Sequence, residues 1–451
     1  MKRRDFLHRA GAGVLASAWA AMGTGAPGPG APGADPKRPM NVILIVADDL
    51  GAVDLGSYGC KDIATPHLDA LAKDGVRLTQ FYVAAPVCSP SRAALMTGRY
   101  PQRAGLVTNA SGGKAALPSD QVTLAEALRG AGCRTAVFGK WHLGRDPGTR
   151  PREQGFDEFF GHLEGCIDNY SHFYFWSGPN RHDLWRNEEE HWEPGAYFPD
   201  LVLREALRFL DENRDRPFFL YLPSNLPHYP LQGEARFRTM YEALPSPRRE
   251  YAAHVSTLDA KVGEVLARVD ALGLRDRTLV LFFSDNGHSL EERTGFGGGS
   301  GGPYRGAKFS LLEGGIRMPC IVRLPGRVPA GQVRDQVTAA MDLFPTVLDF
   351  CGAAPPPRKI DGRSLAPVLE SAAAPSPHTV LHWQTGNQWA VRDSNWKLVV
   401  NGQGLDPADK TFLANLATDV GETKNLAADH PDIVSRLRAL HEAWLKEVQE
   451  Q

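Results

Sequence analysis

The run Asn41 to Ala47, N-V-I-L-I-V-A, constrains the fold of this chain more than any other stretch. It is short, rich in β-branched residues and carries no polar position after Asn41, so a strand built from it has no face that can meet water. Such strands sit inside mostly parallel sheets covered on both sides. Similar runs occur at Thr135 to Phe138, Pro217 to Leu222 and Thr278 to Ser284, with helical patterns such as Leu124 to Gly130 and Leu203 to Asn213 between them. This alternation predicts an α/β fold: a large mixed, mostly parallel sheet sandwiched by helices. Tyr251 to Gly273 spaces Val255, Leu258, Val262, Val265, Leu266 and Val269 for one helical face, which reads as core packing. Beyond Cys351 the pattern changes to Ala/Pro-rich linkers at Ala353 to Pro357 and Ala372 to Pro377. Strand-like runs follow around Thr379 to Trp383, Trp389 to Arg392 and Trp396 to Val400, then a helix over Pro431 to Val448. Residues 38–350 are therefore expected to form the main domain. Residues 351–451 are expected to form a smaller C-terminal α+β subdomain with a short antiparallel sheet and a terminal helix.

The first 37 residues stand apart. Lys2, Arg3, Arg4 and Arg9 flank a short stretch of small, uncharged residues from Ala10 to Met22, and a Gly/Pro-rich linker follows. The stretch is too short and too weakly apolar to span a bilayer stably. It resembles a twin-arginine export signal, which implies passage through the twin-arginine export machinery to the periplasm or the exterior. Fifty Lys+Arg against 52 Asp+Glu give a net charge of -2, without the basic excess of a nucleic-acid surface, so no nucleic-acid partner is expected. Cys60, Cys88, Cys133, Cys166, Cys320 and Cys351 are scattered and form no C-x-x-C pair, which argues against a disulfide scaffold and a zinc site.

The chemistry-bearing residues follow the predicted strands, at the sheet edge where open α/β folds bind ligands. Asp48-Asp49 ends one strand and Asp285-Asn286 ends another. Either pair alone reads as a turn former. Together they bring three carboxylates and an amide to one place, where mutual repulsion calls for a hard cation, and an all-oxygen set favours calcium or magnesium. Between them lies V-C-S-P-S-R-A-A-L-M-T-G-R, Val87 to Arg99, in which Pro90 predicts a helix starting just after Cys88. Cys88 and Arg92 then share a face, and an anion over residue 88 would meet helix N-terminal amides and a guanidinium. From the residues alone, Cys88 is either a reactive nucleophile or a buried structural cysteine.

C-S-P-S-R followed by A-A-L-M-T-G-R is similar to the signature of the type I, formylglycine-dependent sulfatases, arylsulfatase-like members of the alkaline phosphatase superfamily. The resemblance runs from Arg38 onward, through D-D-L-G, G-K-W-H-L-G, P-H-Y-P, S-D-N-G, G-A-K, E-G-G-I-R-M-P and D-G-R-S-L in order. It implies an alkaline phosphatase-like fold and a sulfuric-ester hydrolase acting on a sulfated carbohydrate or an aryl sulfate. A phosphonate or phosphate mono- or diester hydrolase of the same superfamily is the alternative.

By the same resemblance, Cys88 is converted to formylglycine by a maturation enzyme. One Ca²⁺, with Mg²⁺ as the alternative, is held by Asp48, Asp49, Asp285, Asn286 and the modified residue 88. Arg92 steadies the formylglycine, while Lys140, His142, His228 and Lys308 surround the sulfate. The hydrated aldehyde supplies two hydroxyls: one attacks sulfur, and the other expels sulfate as the aldehyde reforms. His142 is the expected base for that second step, and His228 or Lys308 the expected acid for the departing alcohol.

Specificity is less legible. The aromatic stretch Asn169 to Trp176, with Tyr170 and His172, suits a sugar ring, as do Arg181, His182 and Trp192, and His288 with Glu291, Glu292 and Arg293. The glycine-rich run Phe296 to Gly302 is expected to frame the site as a mobile loop.

Overall fold

The computed structural model describes residues 40–450 except Lys114, Ser177, Arg293 and Thr294, so the export-signal reading and Arg293 lie outside the described residues. The Asn41–Asp48 strand is the centre of an 11-stranded sheet. Its side chains alternate between two apolar cores: Val42, Leu44 and Val46 face one, and Ile43, Ile45 and Ala47 face the other. Burial on both faces is what an unbroken apolar run requires.

Five central strands run parallel in the order Thr278–Ser284, Asn41–Asp48, Phe218–Pro227, Arg134–Lys140, Glu158–His162. Beyond Thr278–Ser284 the sheet continues antiparallel through Arg317–Arg323 and Val76–Tyr82. Neither of these strands was foreseen. The sequence V-R-L-T-Q-F-Y mixes polar and apolar positions because the Val76–Tyr82 strand is only partly covered. Helices Phe198–Asn213 and Arg248–Ala271 cover one face of the sheet, and Cys88–Thr97 with Leu343–Cys351 cover the other. The Phe198–Asn213 helix starts earlier than the apolar spacing suggests, with a proline in its first turn.

A second, four-stranded antiparallel sheet is formed by Val380–Thr385, Gln388–Asp393, Trp396–Val400 and Thr411–Asn415, the last of these unforeseen. The Pro431–Gln449 helix packs on it through Leu437. Trp383, Ala390, Val399, Trp444 and Val448 share the large apolar core of the main sheet, so both sheets are packed on one continuous interior. A buried cluster reinforces this junction: Lys397 Nζ lies 2.8 Å from Glu313 and 3.0 Å from Glu422, all three side chains fully buried. Among the described residues all six cysteines are free, and no helix is long and apolar enough to cross a membrane.

Candidate active site

Adjacent parallel strands deliver the acids to one point. Asp285 continues the Thr278–Ser284 strand, and its N–H donates to the Ala47 carbonyl at 3.1 Å, which places it beside Asp48. Asp49 turns out of the strand with φ 63°. Asp48, Asp49, Cys88 and Asp285 are all buried, and one ligand atom from each lies within 4.8 Å of the others. Asn286 joins them: its amide nitrogen donates to Asp49 Oδ1 at 2.6 Å, while its carbonyl oxygen is buried with no partner among the described residues. Gly287 makes this approach possible, since a Cβ there would come within 2.1 Å of the Gly314 carbonyl.

Three buried cations oppose the three carboxylates. Lys140 Nζ lies 2.6 Å from Asp48 Oδ2, Lys308 Nζ lies 2.8 Å from Asp49 Oδ2, and Arg92 Nη2 lies 2.8 Å from Asp285 Oδ2. Arg92 also donates from Nη1 to the Lys140 carbonyl at 3.2 Å. It sits one turn after Cys88 on the Cys88–Thr97 helix, and the Cys88 thiol lies 3.5 Å from Asp48 Oδ1. Burial raises the carboxylates' pKa values, but the neighbouring Lys140 and Arg92 charges outweigh it at Asp48 and hold that group well below the usual range. At Asp285 burial wins and lifts the carboxyl to about 6. Burial also pushes the Cys88 thiol far up, so it is protonated at neutral pH.

These residues fit a hard dication. Three acceptor-only carboxylates and an unpartnered amide oxygen converge in a buried site, so oxygen donors outnumber the one soft atom in the cluster, the Cys88 sulfur. Since the three cations already balance the three carboxylates, a bound dication would leave two positive charges facing the adjoining space.

That space is a cavity of about 370 Å³ lined by Cys88, His142, His228 and Lys308, with Asn109, Ser111, Tyr174, Trp176, Tyr229 and Glu291 among its other wall residues. The His142 ring is buried with neither nitrogen partnered among the described residues, and burial beside Lys140 holds it well below the usual histidine range. Its backbone is left-handed, φ 54°, and its ring fits only because residue 165 is glycine: a Cβ there would come within 2.8 Å of Cε1. His228 donates from Nδ1 to the Tyr229 carbonyl at 2.8 Å, which leaves Nε2 facing Asp49 Oδ2 at 3.6 Å. Burial and the Lys308 charge keep His228 neutral.

Cys88, Arg92, Lys140, His142, His228 and Lys308 are thus assembled around the acids. Of the residues expected to read the substrate, Tyr174, Trp176 and Glu291 line the cavity, whereas Tyr170, His172, Arg181 and His288 do not. His172 is buried against Phe198, with Nε2 on the Ala196 carbonyl at 3.0 Å, and Tyr170 stacks on Tyr197; neither lines the cavity. His288 packs near Gly299 and is likewise absent from the wall. Arg181 lies over the Tyr174 ring, one layer behind the wall. The Phe296 to Gly302 run packs on Pro247, Asp54 and His288; it contributes no residue to that wall, although Gly297 borders a small space beside Asp49, His228 and Tyr229. Sequence reasoning missed Asn109, Ser111 and Tyr229. Tyr229 stacks on Trp176 and donates to Glu291 at 3.0 Å, and its place beside His228 in P-H-Y-P was the available signal.

A buried carboxylate cluster at the carboxyl edge of a mixed sheet, opposed by lysines and an arginine, defines a hydrolase of the alkaline phosphatase superfamily. Residues 40–353 match the sulfatase family model and residues 307–451 match the C-terminal model of N-sulphoglucosamine sulphohydrolase. The chain belongs to the sulfatase family and is a sulfuric-ester hydrolase. It is 36% identical to mouse steryl-sulfatase, over 89% of this chain and 77% of that protein. It is 37% identical to N-acetylgalactosamine-6-sulfatase of the dog, Canis lupus familiaris, over 76% and 68%. The crystal structure of Ps i-CgsB in complex with k-i-k-neocarrahexaose superposes with a TM-score of 0.81 at 32% identity, covering 90% of this chain and 93% of that one. Phosphonate monoester hydrolase of Agrobacterium radiobacter shares the fold, with a TM-score of 0.66 at 22% identity over 92% and 96%.

Proposed function

We propose that the enzyme releases inorganic sulfate from a sulfated carbohydrate, with residue 88 matured to formylglycine and one calcium ion held by Asp48, Asp49, Asp285 and Asn286. The observation that carries this reading is the gathering of three buried carboxylates, the unpartnered Asn286 oxygen and three cations around Cys88 at the cavity floor. A sugar ester as substrate is supported by the N-acetylgalactosamine-6-sulfatase relative and by the Ps i-CgsB complex with a neocarrahexaose.

When present, calcium supplies a Lewis acid that draws charge from the sulfuryl oxygens, and hydrated formylglycine supplies the attacking hydroxyl. Lys140 and Lys308 hold Asp48 and Asp49 in place and direct positive charge at the sulfate. Arg92 fixes Asp285 and the helix that carries residue 88. His142, neutral and unpartnered, accepts a proton at the cavity floor. Since His228 is neutral with its Nδ1 proton committed to the Tyr229 carbonyl, its Nε2 accepts, and Lys308 is the resident donor for the departing alcohol. Burial opposes the lysine's charge, but Asp49 outweighs it and keeps Lys308 protonated.

We take residues 38–350 as the catalytic domain and 351–451 as a subdomain that braces the Lys308 loop. The support is Gln388 donating to the Phe309 carbonyl at 2.8 Å and Ser310 to the Gln403 carbonyl at 2.6 Å. The leader sequence supports maturation in the cytoplasm by a formylglycine-generating enzyme, then export by the twin-arginine machinery to the periplasm or beyond.

The test is release of sulfate and of phosphate from paired esters of one alcohol, by wild type and Cys88→Ala. The proposal expects a wide preference for sulfate, lost in Cys88→Ala. A wide preference for phosphorus would favour the phosphonate or phosphate ester alternative and overturn the assignment.

A further inference from the structure

Behind the cavity wall, one buried carboxylate faces two arginines. Glu164 has a side chain only 1% exposed; its Oε1 pairs with Arg181 Nη2 and lies 3.4 Å from Arg145 Nη1. The Gly112 N–H sits 3.3 Å from both of its oxygens. Each partner belongs to a segment that builds the wall. Ser111 precedes Gly112, Gly165 and Cys166 follow Glu164, and Tyr174, whose ring carries the Arg181 guanidinium at 4.1 Å, lines the same cavity.

The charges do not cancel. Two guanidiniums, with side chains 32% and 26% exposed, share one carboxylate, and Arg181 Nε has no partner among the described residues. Asp183, an acid on the backbone side of Glu164, already accepts from the Leu163 and Glu164 amides and the Trp185 indole. Burial lifts it to about 7, which reduces its charge near neutrality. Behind the wall the cluster therefore carries surplus positive charge on two partly exposed guanidiniums, a form suited to planar oxyanions and separate from the lysines at the cavity floor.

We propose that the Arg145–Glu164–Arg181 cluster recognises a second acidic group on the sulfated substrate, a carboxylate or another sulfate borne by the same sugar or its neighbour. Glu164 is the positioning residue that ties the three wall segments together, and Arg181 is the recognition residue. This rests on the sulfated-carbohydrate reading above.

The matured, calcium-loaded enzyme is assayed on three matched disaccharide sulfates: one otherwise neutral, one carrying a uronate carboxylate and one carrying a second sulfate. Failure on all three and on an aryl sulfate would sink the underlying reading rather than this proposal. The expected result is a kcat/KM about tenfold or more higher for one doubly acidic ester than for the neutral one, as a charge-assisted contact provides. Which ester wins identifies the second group. Arg181→Gln and, separately, Arg145→Gln should shrink that ratio, and Arg181→Lys should retain part of it. Equal kcat/KM on all three esters in wild type overturns the proposal, as does a ratio unmoved by both Gln variants. The ratio separates recognition from a structural role, which would lower all three values alike.

Discussion

Replacing Lys308 with alanine separates the roles assigned to the cavity floor. The Lys308 side chain is 3% exposed, its Nζ lies 2.8 Å from Asp49 Oδ2, and it lines the cavity beside Cys88 and His228. Removing one preorganised donor aimed at developing charge costs about 10² to 10³ in kcat. How much of that appears depends on the leaving group. A sugar alkoxide cannot depart without a proton, whereas a nitrophenolate is stable enough to leave alone. Lys308→Ala should therefore lose about 10² to 10³ in kcat on a sugar sulfate and about tenfold or less on 4-nitrophenyl sulfate.

The same variant disturbs Asp49. Burial already raises that carboxyl and Lys308 is its strongest opposing charge, so Asp49 rises further without the lysine and holds calcium less well in mild acid. The comparison therefore belongs at neutral or higher pH in saturating calcium, with bound metal measured for both enzymes. Equal losses on the two esters, at matched calcium content, would refute Lys308 as the proton donor.

Further outcomes follow from the same geometry. Gly165→Ala places a methyl within 2.8 Å of the His142 ring and should lower kcat at least tenfold with the fold intact by circular dichroism; wild-type turnover would remove His142 from the chemistry. Lys397→Met leaves Glu313 and Glu422 buried without their shared cation and should destabilise by about 3–5 kcal/mol in urea denaturation, with partial recovery in Lys397→Met/Glu422→Gln. His382 and His441 are buried neutral, with burial drawing them down to about 3 and about 4. Because the unfolded chain binds these protons first, their contribution is full above about 6.5 and is lost as pH falls through those values. Thermal midpoints should fall across that window, and His441→Phe should flatten the fall. Calcium chelation should abolish turnover reversibly, and turnover indifferent to chelation and re-addition would exclude the cation role given to the acids.

The parts of the site legible in the sequence are those fixed by strand ends. Asp48-Asp49 and Asp285-Asn286 follow fully apolar runs, and two such runs paired in parallel must bring their ends together, as Ala47 and Ser284 do. Cys88 and Arg92 were legible through helical spacing and a proline in the first turn. The rest of the wall was not, because Asn109, Ser111 and Tyr229 lie on connections whose paths depend on packing between distant segments. Within Asn169 to Trp176 the aromatic content gave no direction. The short pairing of Phe173–Tyr174 with Arg181–His182 turns Tyr174 and Trp176 to the cavity, while His172 packs inward on Phe198. Composition marks such a stretch as ring-rich, but which rings face a ligand is decided by the hairpin.

The most direct test of the proposed mechanism is the mass of the peptide spanning Cys88 in protein purified from its native host and active on a sulfate ester. The account predicts a residue 88 that carries the aldehyde or its hydrate in place of the thiol, at an occupancy that tracks specific activity across preparations. A fully active enzyme with an intact Cys88 thiol would contradict it.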